Sequence, residues 1–339
     1  MSASTSRGER VDGAFERIEP LTIVVLDDYQ NVAREFADWS RIDEFANVRV
    51  LTEHIGSEER LVDELRDAQI VVAMRERTRL TASVIEQLPD LQLIVTTGPS
   101  NAAIDVAYAW QRGIFVCGTG GYISPTTELT IALMMGVARS IVCEANSVAS
   151  GGWQTQVGLE LRGKTLGLVG LGRIGSEVAA VAQALGMNVI AWSQNLDAEV
   201  AASRGVRAVT RHELFSTADV VSIHLVLSDR SRGLVSTAEF TAMKPKALLI
   251  NTSRGPIVDE MALVHALRNG TIGGAGLDVF DDEPLSLEHP LREIARTHPR
   301  VILTPHIGYV TDGLYRQFFT EIVEDIEAWL NHQAIRVLS

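Results

Sequence analysis

The sequence predicts an α/β protein of two domains, each a parallel sheet covered by helices on both faces. Three observations predict it. The chain has 339 residues, too many for one ordinary core. Short, continuously apolar runs alternate with amphipathic segments along nearly its whole length, the pattern of strands buried on both faces. One of those runs ends in a glycine turn that opens directly into a helix-forming segment.

The elements follow in order. LTIVVL (21–26), VRVL (48–51), QIVVAM (69–74), LQLIVTT (91–97) and IFVCG (114–118) predict five strands. Helices are expected between them, over EERLVDELRDA (58–68) and TASVIEQL (81–88). This first domain carries no glycine fingerprint. GTGGY, 118–122, reads as a domain boundary or hinge, and a helical stretch from about Pro125 to Ser150 leads away from it.

The second domain is organised around TLGLVGLGRIG, Thr165 to Gly175. A strand over 165–169 is followed by Gly170, Gly172 and Gly175 and by the apolar segment SEVAAVAQALGM. In that frame Gly170 permits a tight turn, Gly172 lets the backbone approach a pyrophosphate, and Gly175 lets helix and strand pack closely. The N–H groups that open the helix, at Arg173 and Ile174, then face the phosphate charge. Strands are expected at MNVIAW (187–192), VVSIHLVL (220–227), ALLINTS (247–253), GGAGLDVF (273–280) and VILTPHIG (301–308), and a last helix over 311–330 has room to fold back onto the first domain. Gly158–Thr165 formally fits a triphosphatase phosphate loop, but Thr165 is expected to open a strand where that loop needs a helix.

Composition excludes several classes. A net charge of −13 argues against nucleic acid as the main partner. Two cysteines, Cys117 and Cys143, give no disulfide framework and suit a reducing cytoplasm. The polar residues 1–20 lack a secretory apolar segment and read as a frayed tail. The longest apolar run, Leu129 to Ala138, falls short of the roughly 20 residues of a membrane span. His54, His212, His289 and His332 show no metal-ligand spacing, so no metal is expected.

Three later segments carry chemistry: INTSRGPIVDE with Arg254, GAGLDVFDDEP with Asp278 and Glu283, and TPHIG with His306. All three end predicted strands, where ligands of open parallel sheets bind. A carboxylate beside an imidazole stabilises its protonated form, and an arginine fork suits a 2-oxo or 2-hydroxy acid.

With Ile104-Asp105, the fingerprint, the SRG around Arg254, LDVF..EP and PHIG in this order, the chain resembles the NAD(P)-dependent D-isomer-specific 2-hydroxyacid dehydrogenases, from about Leu21 to its end. The family includes D-3-phosphoglycerate dehydrogenases and hydroxypyruvate/glyoxylate reductases. The resemblance implies two Rossmann-like domains: a discontinuous substrate domain (1–118 and 306–339) and an inserted dinucleotide-binding domain (119–305), with the active site in the cleft. It implies that Arg254 binds the substrate, His306 is the acid/base and Glu283 orients it. Asp278 is expected to bond the nicotinamide carboxamide, with Thr252 and Gly308 also on the cofactor. It further implies a homodimer joined through the cofactor domain. Hydride transfer between NAD and a small D-2-hydroxy or 2-oxo acid is the expected activity. A dinucleotide-sensing scaffold like the transcriptional corepressors is the alternative. Formate dehydrogenases carry Gln where this chain has Glu283.

Two departures from the family matter. Ser193 and Gln194 stand where an acidic residue usually binds the adenosine ribose, roughly 20 residues past the glycines. Nothing there repels a 2′-phosphate, so NADP stays admissible beside the favoured NAD. In TTGPSNAAID, 97–105, the family binds the substrate carboxylate through successive N–H groups. Pro99 has none, so Ser100 and Asn101 are expected to supply the contacts, with Arg75 and Arg77 near enough for a phosphate or second carboxylate.

Overall fold

The computed structural model describes residues 20–338; the expected frayed tail, apart from Pro20, lies outside them. The chain forms two compact units. One is built from residues up to Thr119 and from Phe319 onward, the other from Gly120 to Phe318.

The first unit has five parallel strands: β1 (Leu21–Val25), β2 (Ala46–Val50), β3 (Ile70–Ala73), β4 (Leu93–Thr96) and β5 (Phe115–Gly118), in the order β2-β1-β3-β4-β5. β3 and β4 are buried along their whole length, as strands covered on both faces must be. Side-chain caps start the helices between them: Ser57, Thr81 and Asp105 each accept an amide of the first turn. The C-terminal segment returns to this unit along the outer edge of β5. There the Leu338 amide donates to the Val116 carbonyl at 2.8 Å and the Gly118 amide to the Arg336 carbonyl at 3.0 Å. Cys117 and Val337 form an antiparallel bridge.

The second unit has seven parallel strands: β6 (Thr165–Val169), β7 (Asn188–Trp192), β8 (Arg207–Ala208), β9 (Val220–Ile223), β10 (Leu248–Asn251), β11 (Gly274–Leu277) and β12 (Val301–Leu303). Their order is β12-β11-β10-β9-β6-β7-β8. Strand order reverses between β6 and β9, the switch point at which doubly wound sheets bind dinucleotides. β6 begins at Thr165, which disposes of the phosphate-loop match.

The structure departs from the expected elements at several places. The helical stretch over 125–150 is two helices, Ser124–Ala138 and Ile141–Ala149, bent by 65°. Ser140 at the bend has φ +54°, and the Leu159 amide takes the Ala138 carbonyl that a continuing helix would have used. β9 stops at Ile223 and β12 at Leu303, well short of the apolar runs. In the second case Pro305 has no N–H to extend the ladder, and His306 adopts φ +53°. β8, two residues long, has no periodicity to betray it. The return to the first unit falls at Phe319, within the helix Asp312–Leu330, whereas the family resemblance implies it at 306. The reason is that the Asp278 carboxylate holds the Ile307 and Gly308 amides on the second unit.

Candidate active site

The cofactor cradle is built by β6 and the helix Arg173–Ala184. Gly170 has φ +105°, and a Cβ on it would lie 2.5 Å from the His224 carbonyl oxygen. A Cβ on Gly175 would lie 2.3 Å from the Gly170 oxygen, so helix and turn touch backbone to backbone. Gly172 differs from both: nothing lies within 4 Å of a Cβ there, and its φ is negative. Folding requires the first and third glycines; the second leaves open space at a helix N-terminus, where a diphosphate fits. Arg173, exposed, and Ile174 open that helix.

Ser193 and Gln194 follow the carboxyl end of β7. Trp192, Ser193 and Leu196 line a groove with Val209, Thr210 and Arg211. Arg211 lies 5.9 Å over the Trp192 ring and pairs with Glu239 at 2.8 Å.

The chemistry-bearing residues lie beyond β10, β11 and β12. His306 Nδ1 is 2.6 Å from Glu283 Oε2, and the two side chains are 18% and 26% exposed. Glu283 Oε1 accepts the Phe280 amide at 3.0 Å. Burial alone would raise the Glu283 carboxyl. The His306 hydrogen bond and charge, the Phe280 amide and the Arg254 guanidinium outweigh it and hold the carboxyl below its ordinary range. Nδ1 being committed to Glu283, Nε2 is the ring atom left to exchange a proton with a ligand.

Arg254 precedes a short 3-10 turn, Gly255–Ile257, and its Nη1 donates to the Ser253 carbonyl at 2.8 Å. Asn251 closes the turn by donating to the Arg254 carbonyl at 3.0 Å and accepting the Ser253 amide at 3.1 Å. A Cβ on Gly255 would fall 2.0 Å from the Phe280 carbonyl carbon. The Arg254 and Glu283 segments therefore meet as bare backbone, which is the physical reason for the glycine in SRG.

Asp278, 1% exposed, organises the loop that carries His306. It accepts the Thr304 hydroxyl at 2.6 Å, the Ile307 amide at 2.8 Å and the Gly308 amide at 2.9 Å. Burial pushes its carboxyl up, against those hydrogen bonds and the His306 charge. Thr252 shares a 2.7 Å hydrogen bond with Thr130, and Thr126 donates to the Gly308 carbonyl at 2.9 Å. One helix, Ser124–Ala138, thus fixes both. The Thr304 and Phe280 contacts escaped sequence reasoning, because neither residue type signals its partner.

Arg75, Ser100 and Asn101 lie in the first unit, at the carboxyl ends of β3 and β4. The Arg75 guanidinium donates to the Thr97 carbonyl at 3.2 Å and fills the space a Cβ on Gly98 would need. The Asn101 amide donates to the Arg75 carbonyl at 2.5 Å and to the Thr96 hydroxyl at 2.8 Å, so this side chain shapes the loop. Ser100 is exposed. Arg77 lies 4.4 Å over the Tyr29 ring. Among the described residues no group of three His, Cys, Asp or Glu side chains converges to hold a metal ion. No single described helix is long and apolar enough to cross a membrane.

Strand order, cradle and His–Glu pair define an NAD-binding α/β protein equipped for proton transfer. The family model of the NAD binding domain of D-isomer specific 2-hydroxyacid dehydrogenases matches residues 131–308. A D-3-phosphoglycerate dehydrogenase of Archaeoglobus fulgidus is 37% identical over 80% of this chain and 51% of its own length. A glyoxylate reductase of Aeropyrum pernix is 37% identical over 75% of this chain and 77% of its own. The crystal structure of a phosphoglycerate oxidoreductase from Vibrio cholerae superposes with a TM-score of 0.86 at 32% identity, covering 92% of this chain and 99% of that one. The chain belongs to the D-isomer specific 2-hydroxyacid dehydrogenase family. It spans about half the length of the curated D-3-phosphoglycerate dehydrogenases it matches.

Proposed function

We propose that this protein is an NAD(P)-linked dehydrogenase of small D-2-hydroxy acids, working as a reductase on the corresponding 2-oxo acids. The observation that carries the reading is the 2.6 Å contact between His306 and Glu283 in a unit with dinucleotide-binding strand order. The bound nicotinamide supplies or accepts the hydride. Protonated His306 donates from Nε2 to the oxygen that gains charge, and Glu283 holds the ring by Nδ1. Arg254 binds the carboxylate and stabilises the developing alkoxide. Asp278 receives the carboxamide, and Arg75, Ser100 and Asn101 are the substrate-binding candidates of the first unit. A panel of glyoxylate, hydroxypyruvate and related acids, followed by loss of NADH or NADPH absorbance, tests the reading. No turnover with any of them sinks it.

Replacing Glu283 with glutamine removes the charge that favours the imidazolium while keeping a hydrogen-bonding group. In this variant the pH–rate profile of reduction is expected to change, with partial activity kept. Superimposable pH–rate profiles of variant and parent would separate Glu283 from the proton donor.

Ser193, beside the groove at the end of β7, sets the cofactor choice in this reading. Ser193→Asp is expected to weaken NADPH binding by charge repulsion and leave NADH binding equal or better, as fluorescence titration reads out. Unchanged affinities for both would remove Ser193 from the ribose site.

The assembly we propose is a homodimer joined through the second unit. Support comes from an apolar surface on and after the helix Ile141–Ala149: Ile141, Val148, Trp153 and Val157 are all exposed, the last two by 73% and 90%. Sedimentation at micromolar concentration is expected to show two copies, and Trp153→Glu to release monomers. A parental monomer contradicts the proposal. Two unpaired cysteines, Cys117 and Cys143, suit a cytoplasmic location.

A further inference from the structure

A second histidine–carboxylate pair joins the Glu283 segment to the helix after the Arg254 turn. Glu260 opens the helix Glu260–Arg268, which follows the Arg254 turn. Its Oε1 lies 2.7 Å from His289 Nε2, and each side chain is only 18% exposed. The Leu291 amide donates to His289 Nδ1 at 3.2 Å, so Nδ1 carries no proton and Nε2–H is the donor to Glu260. The other Glu260 oxygen accepts the Asp281 amide at 3.5 Å. Asp281 and His289 stand at the two ends of the segment that carries Glu283. One carboxylate therefore ties both ends of that segment to the helix that follows Arg254.

The rest of the segment is braced as well. Arg292 donates to the Ser286 carbonyl at 2.8 Å and to the Leu285 carbonyl at 2.7 Å. Burial, followed by the charges of Glu260 and Asp282, pushes the Asp281 carboxyl up, so the Glu260 charge is felt within the segment. Glu283 itself reaches His306 at 2.6 Å from this frame. A displacement of about 1 Å at such a contact can cost on the order of 100-fold in rate.

We propose that Glu260 and His289 are positioning residues, clamping residues 281–289 at both ends so that Glu283 meets His306 at hydrogen-bonding distance. The proposal rests on the reductase reading above. His289→Ala is expected to lower kcat by up to about 100-fold, to leave NADH affinity unchanged, and to move the pH–rate profile of reduction in the same direction as Glu283→Gln does. Added to Glu283→Gln, the same change should cost less than about twofold, because coupled residues are not additive. His289→Gln keeps an N–H donor and should restore the parental profile.

Equal losses in the two backgrounds, or a parental pH profile in His289→Ala, overturn the proposal. If His289→Ala fails to fold, Glu260→Gln takes its place, since an amide cannot accept from both donors; a parental profile there is equally fatal. Should the parent reduce no 2-oxo acid, the functional reading fails by itself. The clamp is then read from the NMR signals of the His306 ring, which His289→Ala must shift for the proposal to stand.

Discussion

Replacing His306 with alanine is expected to lower turnover of 2-oxo acid reduction by about 10²–10⁴-fold, the usual contribution of a positioned proton donor. NADH should bind as before. The cradle at Gly170–Gly175 and the groove beside Ser193 contain no atom of His306, and Asp278 grips the loop through the amides of Ile307 and Gly308. Alanine keeps those amides, so the loop loses its acid without losing its anchor. Stopped-flow measurement of NADH binding and of the hydride step separates the two. A fully active variant would overturn the mechanism.

Arg254→Lys is expected to raise KM and lower kcat together, with kcat/KM falling about 10²–10³-fold. Loss of one donor to a developing oxyanion costs roughly 3–4 kcal/mol. The lysine ammonium keeps the positive charge but cannot present two parallel N–H groups to a carboxylate. The arginine also lowers the Glu283 carboxyl by its charge, a role lysine can partly fill. The pH profile should therefore move less in this variant than in Glu283→Gln. Steady-state kinetics with glyoxylate and hydroxypyruvate, run across pH, test both parts. A change confined to KM would make Arg254 a binding residue only.

Much of this architecture could be read from the residue pattern because its causes are local. An apolar run of four or five residues buried on both faces announces a parallel strand, and β3, β4, β9 and β10 are of that kind. Gly170 and Gly175 announce a turn and a close packing, and the structure shows the backbone atoms that enforce each. What stayed hidden depends on partners distant in the chain. The apolar run from Val220 continues to Leu227, whereas the pairing of β9 with β6 and β10 stops at Ile223. Glu260 lies in the segment that carries Arg254, and His289 stands in no metal-ligand spacing. Their pairing spans the whole of β11. Asp278 shows the same limit in another way. Its place in LDVF was evident, but its hold on the Thr304 hydroxyl and the Ile307 and Gly308 amides follows from tertiary structure alone.

The C-terminal strap on β5 has a consequence for how the protein is made. Synthesis runs from the N-terminus, and domains generally fold as they emerge. The twelve described strands are complete before Arg336 leaves the ribosome, yet β5 is an edge strand of its sheet and, among the described residues, gains its covering partner from Arg336, Val337 and Leu338. An uncovered edge is a template for pairing with other chains. The nascent first unit thus waits, with its β5 edge open, through the synthesis of the second unit, until Arg336, Val337 and Leu338 emerge to close it.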